Sequence, residues 1–262
     1  MKTGSSIVRA FAWLVAATLL VAGAANGAEV KVMISGGFSG AYSVLIPEFE
    51  RTTGNTVATA FGPSMGNTPQ AIPNRLQRGE PADVLIMVDT ALDELRKQGK
   101  VVPDSRVDLA RSKIGMVVRS GEAKPDISSV EAFKRALIEA KSIAYSDSAS
   151  GVYLSTVLFE RLGIADQMRS KSRMIPAEPV GKVVARGEAQ LGFQQISELL
   201  PIPGVDLVGP LPQEIQKVTV FSGGVAAGAK EPEAARALLQ FLSSPGAAQA
   251  IAKSGLEPVT LR

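Results

Sequence analysis

The stretch SIAYSDSASGVYLSTVLFERLG, residues 142–163, decides the fold. It predicts a short buried strand, a tight loop of small hydroxyl residues from Ser148 to Gly151, and then a helix. Leu154, Leu158 and Leu162 keep helical spacing, and Gly163 supplies the stop. A strand that turns through such a loop into a helix aims backbone N–H groups and hydroxyls at one spot, with the positive end of the helix dipole behind them. That is a ready place for an anion, each charge–dipole contact contributing roughly 0.3–1 kcal/mol. In a lone junction of this kind, Ser148 or Ser150 reads more simply as a helix cap. Here similar junctions recur along the chain.

Working outward, residues 30–34 predict a strand, 35–40 a Ser- and Gly-rich loop, and 41–53 a helix stopped at Gly54. A strand over 56–61 leads to a second small polar loop over 62–67 and a helix over 69–78. The apolar strand 84–88 ends at Asp89, before a helix over 91–98. Beyond a strand over 113–118 and a helix over 130–140 comes the opening stretch. It is followed by a helix over 180–186 and a strand over 191–193 that runs into the amides Gln194 and Gln195. Strands over 205–208 and 217–221 and paired helices over 232–242 and 245–253 complete the chain. Strands alternating with helices of this length argue for an α/β fold, mostly parallel sheet with helices on both faces and ligands at the carboxyl ends of the strands.

Composition narrows the function. Lys2 and Arg9 precede an apolar run over 10–22 and the small residues Gly23, Ala24, Ala25, Gly27 and Ala28. This predicts a signal peptide over 1–28, cut between 22 and 28, and a mature protein in the periplasm with no membrane insertion after processing. With 45% hydrophobic residues in 262, the chain can bury a sizeable core, and its 0 cysteines leave stability to that core. The net charge of +3 falls by two once Lys2 and Arg9 leave, and aromatic residues are 5%, which gives no nucleic-acid footprint. With 0 histidines, catalysis has to use carboxylate, Tyr, Ser or Lys, and a His- or Cys-based metal site is excluded.

The order of several pieces resembles a known family. Residues 79–84 (GEPADV) before a strand ending in Asp89, the loop from Asp147 to Gly151 with Tyr153 on its helix, the turn over 187–192 (GEAQLG) and the tail over 234–258 with its FLSSP are similar to periplasmic solute-binding proteins of the molybdate-binding type. The resemblance covers essentially the whole mature chain. It implies a two-lobed periplasmic binding protein fold (type II), each lobe a mostly parallel sheet flanked by helices, joined by two hinge strands. One lobe would be 29–110 plus 218–262 and the other 111–217, with an anion in the cleft between them.

The ligand positions depart from the molybdate pattern. Where that family has a Ser after the first strand this chain has Gly37, with Ser35 and Ser39 to either side; its Ser-rich second loop is represented by Ser64; and its cleft Tyr is here Gln195. Exchanging compact hydroxyl donors for Gly and Gln predicts a larger pocket and a larger, carboxylate-bearing ligand. Within this divergent group the chain resembles the aconitate isomerases built on the same fold, in size, leader and sequence character. That resemblance implies interconversion of trans- and cis-aconitate by allylic proton transfer with no cofactor and no metal. The alternative is a substrate-binding protein that delivers molybdate or another oxyanion or organic acid to an ABC permease.

For either reading the uncharged donors expected in the cleft are Ser35, Ser39, Ser64, Ser148, Ser150, Gln194 and Gln195, with the N–H groups of Gly36, Gly37 and Gly151. Arg75 or Lys182 could add positive charge, although each falls on a predicted helix where a solvated face is the simpler reading. Tyr153 is the first candidate for proton transfer, since it sits in the first turn beside the anion loop, where a positive dipole would favour its ionised form. Core packing is the plain alternative for it. Asp89 is the rival base, otherwise a helix cap, and Asp147 a third candidate.

Overall fold

The structure, a computed structural model, describes residues 27–176 and 178–259; the leader predicted over 1–28 lies, except for its last two residues, outside the described residues. In the first run of units β1 (Glu29–Ile34), α1 (Gly36–Thr53), β2 (Thr56–Phe61), α2 (Ile72–Gln77), β3 (Val84–Val88) and α3 (Asp89–Lys97) alternate. β1 pairs in parallel with both β2 and β3. All five residues of β3 are buried, as expected of a strand covered on both faces. Helix α1 starts five residues earlier than the sequence predicts. Ser35 holds an extended backbone and residues 36–40 already wind as helix, so most of the supposed loop is the first turn. Gly54, in the left-handed region at φ 72°, returns its N–H to the Glu50 carbonyl and ends the helix as predicted.

β4 (Val107–Arg119) is long enough to change partners along its length. Its first half pairs antiparallel with β9 (Val218–Val225) and its second half with β7 (Leu191–Gln195). Between those two pairings lies the second lobe. It contains α4 (Val130–Glu139), β5 (Ile143–Ser146), α5 (Ala149–Tyr153), a π-helical turn over Leu154–Leu158, α6 (Phe159–Arg161), α7 (Ala165–Arg169) and β6 (Ser172–Ile175). α8 (Val180–Ala185), β7, α9 (Ile196–Leu199) and β8 (Val205–Pro210) follow. β5 pairs in parallel with β6 and β7. The predicted stop at Gly163 has φ 66°, and Leu154, Leu158 and Leu162 are all buried. After β9 the chain finishes the first lobe with α10 (Pro232–Leu242), α11 (Ala248–Lys253) and β10 (Glu257–Pro258), which pairs antiparallel with β4.

The strand order is β2-β1-β3-β9-β4-β7-β5-β6, so β9 and β4 stand at the centre where the two parallel groups meet. Apolar packing divides the same way. One pair of clusters draws on residues between Val30 and Leu256 that flank β1, β3 and β9, among them Phe38, Phe49, Ile86 and Leu238. The other pair lies between Ile114 and Ile215 and includes Phe133, Leu158, Phe193 and Val183. This is the two-lobed α/β architecture with β4 and β9 as the strands that cross between lobes.

The GEPADV segment has a structural use. Asp83 is 2% exposed, and its carboxylate accepts from the N–H groups of Lys31 (2.8 Å), Lys230 (2.6 Å) and Glu231 (3.1 Å), tying β1 to the chain entering α10. Hydrogen bonds to a charged acceptor contribute about 1.5–3 kcal/mol, and removing the acceptor strands buried donors. We expect Asp83→Ala to lower unfolding stability by roughly 3 kcal/mol or more, read as a shift in urea midpoint at unchanged slope. A loss under 1 kcal/mol would show that water replaces the carboxylate.

Candidate active site

The carboxyl ends of β1, β2, β3, β5 and β7 face one cleft of about 350 Å³. It is lined by Ser35, Gly36 and Gly37 from the start of α1, by Phe61 at the end of β2 with Gly62 to Ser64 and Gln70 beyond it, and by Val88. Asp147 and Ser148 after β5, Glu178 and Pro179 before α8, Gln194, Gln195 and Glu198 around the end of β7, and Phe221 of β9 complete it. Two aromatic rings, two prolines and Val88 make much of the wall apolar, while the polar groups gather in patches between them. No lysine or arginine is among the described lining residues.

Two buried polar atoms in this wall lack a partner: the Ser35 hydroxyl and the Gln195 side-chain carbonyl. Ser35 is the N-cap residue of α1 but makes no side-chain cap bond, so its hydroxyl is left for whatever occupies the cleft. Successive strand residues point to opposite faces. Gln194 therefore reaches the Val180 N–H through its carbonyl (2.9 Å), while Gln195 reaches the Thr219 hydroxyl of β9 (3.0 Å). A threonine hydroxyl can donate or accept, so the Gln195 amide can offer the cleft either its carbonyl or its NH2. Ser64 accepts from the Val88 N–H (2.9 Å), which leaves its own O–H as a donor.

The serines after β5 form a chain: Ser146 is 3.1 Å from Ser148 and 2.9 Å from Ser150, hydroxyl to hydroxyl. Ser148 lines the cleft; Ser150 stands behind it. Gly151 also stands behind, and a Cβ there would lie 1.7 Å from the Ser146 carbonyl oxygen, so glycine serves packing at this position. Ser39 is drawn into α1, where its hydroxyl donates to the Gly36 carbonyl (2.6 Å), and it does not line the cleft.

Of the three bases the sequence suggests, Asp147 lines the cleft, whereas Tyr153 and Asp89 do not. Tyr153 packs against the second-lobe core and donates its hydroxyl to the Ile215 carbonyl at 2.8 Å. Asp89 is the first residue of α3 and accepts from the Thr90 N–H, an ordinary helix-start role. Of the two candidate cations, Arg75 is engaged by the Glu80 carboxylate and the Phe61 carbonyl, and Lys182 is absent from the lining. The expected enlargement at Gly37 is also corrected. A Cβ at Gly37 would stand 2.1 Å from the Phe221 ring, so the space released by losing a side chain is filled by an aromatic ring.

Glu198 is the residue that sequence reasoning missed. It sits on α9, a helix of four residues, too short for periodicity to reveal, and only its place just after the Gln194–Gln195 pair hinted at the cleft. Burial pushes its carboxyl up to about 7, against hydrogen bonds from the Gln194 side chain and the Gln195 backbone N–H that favour the ionised form, with the negative charge of Asp147 adding to the rise. The residue keeps some exposure along the cleft wall, but the carboxyl itself is surrounded by protein on the sides away from it. Such a group can hold or release a proton near neutral pH.

Over residues 30–257 the sequence matches the family described as bacterial extracellular solute-binding protein. The chain belongs to that family. Among its relatives, a Pseudomonas sp protein described as aconitate isomerase is 56% identical over 248 residues, 95% of this chain and 94% of that protein. The molybdate-binding protein ModA of Azotobacter vinelandii is 28% identical, covering 90% of this chain and 92% of its own. In structure, the chain is similar to the Azotobacter vinelandii periplasmic molybdate-binding protein, with a TM-score of 0.69 at 24% identity over 89% of this chain and 100% of the other, a likeness of fold. The cleft lies at strand ends, where open α/β sheets bind their ligands.

The raised Glu198 value also fixes a stability trend. Between an ordinary carboxylate value of 4.5 and about 7 the folded protein holds this proton and the unfolded chain does not, so the group's contribution is full below 4.5 and lost as pH rises through 7. Glu198→Gln removes the buried charge. At pH 8 it is expected to raise stability by about 2 kcal/mol, allowing for screening at the cleft mouth, and Tm by ~4–8 °C. Near pH 4.5 the two proteins should melt together, and a pH-independent difference between them would count against the assignment.

Proposed function

We propose that this protein interconverts trans- and cis-aconitate by cofactor-free allylic proton transfer in the inter-lobe cleft. The observation that carries the reading is Glu198, a carboxyl near its titration point in a cleft of neutral donors and apolar walls that also holds the carboxyls of Asp147 and Glu178. The identity to the Pseudomonas enzyme, which extends over nearly both whole chains, agrees with it. The reaction takes a proton from the CH2 carbon beside the double bond, moves the electron pair through the three-carbon unit onto the conjugated carboxylate, and returns a proton to the far carbon. One C–H bond breaks, one forms, and no electrons enter or leave. A single carboxylate can serve both ends by taking the proton and giving it back.

Glu198 is assigned that role in place of Tyr153 and Asp89. Charge that builds on the conjugated carboxylate is met by the Ser35 hydroxyl and the first N–H groups of the 18-residue α1, with Gln195 turned to present its NH2 and Ser64 and Ser148 as further donors. The rings of Phe61 and Phe221 suit a flat hydrocarbon frame better than a tetrahedral oxyanion. Lobes at 29–110 with 218–262 and at 111–217 fit the division of the apolar clusters, and the family and the leader-like first 28 residues support the periplasm as the compartment. The second reading, a receptor handing an organic acid or oxyanion to an ABC permease, is favoured by the shared fold alone.

Purified protein freed of metals and given trans-aconitate should form cis-aconitate, followed by proton NMR. Glu198→Gln should lower kcat by roughly 100-fold or more while binding persists, and Tyr153→Phe should stay within about threefold of the parent. kcat/KM should fall about tenfold per pH unit below the Glu198 value of about 7. Tight binding with no turnover by the parent protein would make the receptor the correct reading.

A further inference from the structure

Glu198 comes from the second lobe, and its carboxyl, bonded there by Gln194 and Gln195, also meets the start of α1 in the first. Two features hold it there. Ser197, its neighbour, donates its hydroxyl to the Gly37 carbonyl at 2.7 Å, a buried bond between residues 160 apart in sequence. Gly36 lacks a side chain, and a Cβ at that position would stand 2.6 Å from Glu198 Oε1, well inside van der Waals contact. The backbone at Gly36 is helical and does not need glycine, which in a helix is less favourable than alanine by roughly 0.5–1 kcal/mol. What needs the missing Cβ is the carboxyl. Behind α9, Leu200 and Ile196 close on Gly255, just past α11, where a Cβ would meet Leu200 at 2.5 Å and Ile196 at 3.3 Å. The short helix is thus gripped by the first lobe on both sides.

We propose that Gly36 and Ser197 are positioning residues that seat the Glu198 carboxyl over the first turn of α1, so that the proton-transfer group is assembled only where the two lobes meet. This rests on the isomerase reading of the cleft. The absence of a side chain at 36 is then a functional choice of this chain, and a single methyl group there would leave a ligand cleft without a correctly placed base.

Gly36→Ala is the test. Alanine suits the helix, and the atom it meets is the tip of a flexible side chain, so the fold tolerates it while Glu198 swings aside. kcat should fall roughly 100-fold, the cost of a misplacement of about 1 Å, with KM changed less than threefold. A 13C titration of the Glu198 carboxyl should move from about 7 toward the ordinary carboxylate range as it gains water. In a Glu198→Asp background, whose shorter side chain no longer reaches the Cβ, Gly36→Ala should cost less than threefold, the coupling expected of residues in contact. Ser197→Ala should lower kcat about tenfold and move the titration in the same direction. Parental turnover and an unmoved titration in Gly36→Ala, or equal losses in both backgrounds, would overturn the proposal. If the parent makes no cis-aconitate the isomerase reading fails, and the titration of Gly36→Ala still decides whether the seat exists.

Discussion

The antiparallel pairing of β9 with β4 is the contact on which the rest depends. It runs from Val107 opposite Gly223 to Lys113 opposite Val218 and joins two otherwise separate parallel sheets into one. Because residues two apart in a strand share a face, Thr219 and Phe221 both look toward the cleft. Thr219 takes the Gln195 amide and Phe221 fills the space over Gly37. Ser222, on the opposite face, donates to the Asp108 carboxylate at 2.7 Å and locks the same strand into the first lobe. One strand therefore fixes the relation of the lobes and the floor of the site.

The chemistry follows from what that floor leaves open. A cleft whose described lining carries no basic side chain, yet holds the carboxyls of Asp147, Glu178 and Glu198, opposes the entry of an anion and favours the protonated form of the buried one, Glu198. Burial already raises Glu198, and in the proposed reaction helix-start N–H groups and hydroxyls would take the place of cations around a carboxylate ligand. On that proposal, neutral donors would stabilise charge as it forms without neutralising the carboxylate that accepts the proton. An arginine in the same place would hold the ligand more firmly and depress the base.

The sequence made the architecture legible because strand and helix signals repeat along the chain: β1, β2, β3, α4 and α10 fall within a residue or two of where periodicity puts them. Glycine misled at one helix start, where 36–40 reads as a loop but is wound by packing of Phe38 and Ala41 into the core. In the cleft, the residues foreseen by their place at strand ends, Ser35, Gly36, Gly37, Ser64, Ser148, Gln194 and Gln195, do line one pocket. Ser39, Ser150 and Gly151 were drawn behind it by local bonds and close packing. Tyr153 was misjudged because its helix face is set by the Ile215 carbonyl, 62 residues away, and Glu198 was overlooked because its burial depends on Gly36, 162 positions earlier. Local pattern carries the fold, whereas these roles are set by contacts between distant segments.

The central position of β9 also governs the order in which the molecule can be built. β3 is buried on both faces and flanked by β1 and β9, and β9 begins 130 residues after β3 ends. The second lobe, contiguous in the chain, can complete its own core, but until β9 arrives one long apolar edge of the first lobe has bare N–H and C=O groups. Such an edge is a template for pairing with another molecule, and closing so long a loop is intrinsically slow. The strand that fixes the site in the finished protein is thus the one whose late arrival leaves the unfinished protein open to aggregation.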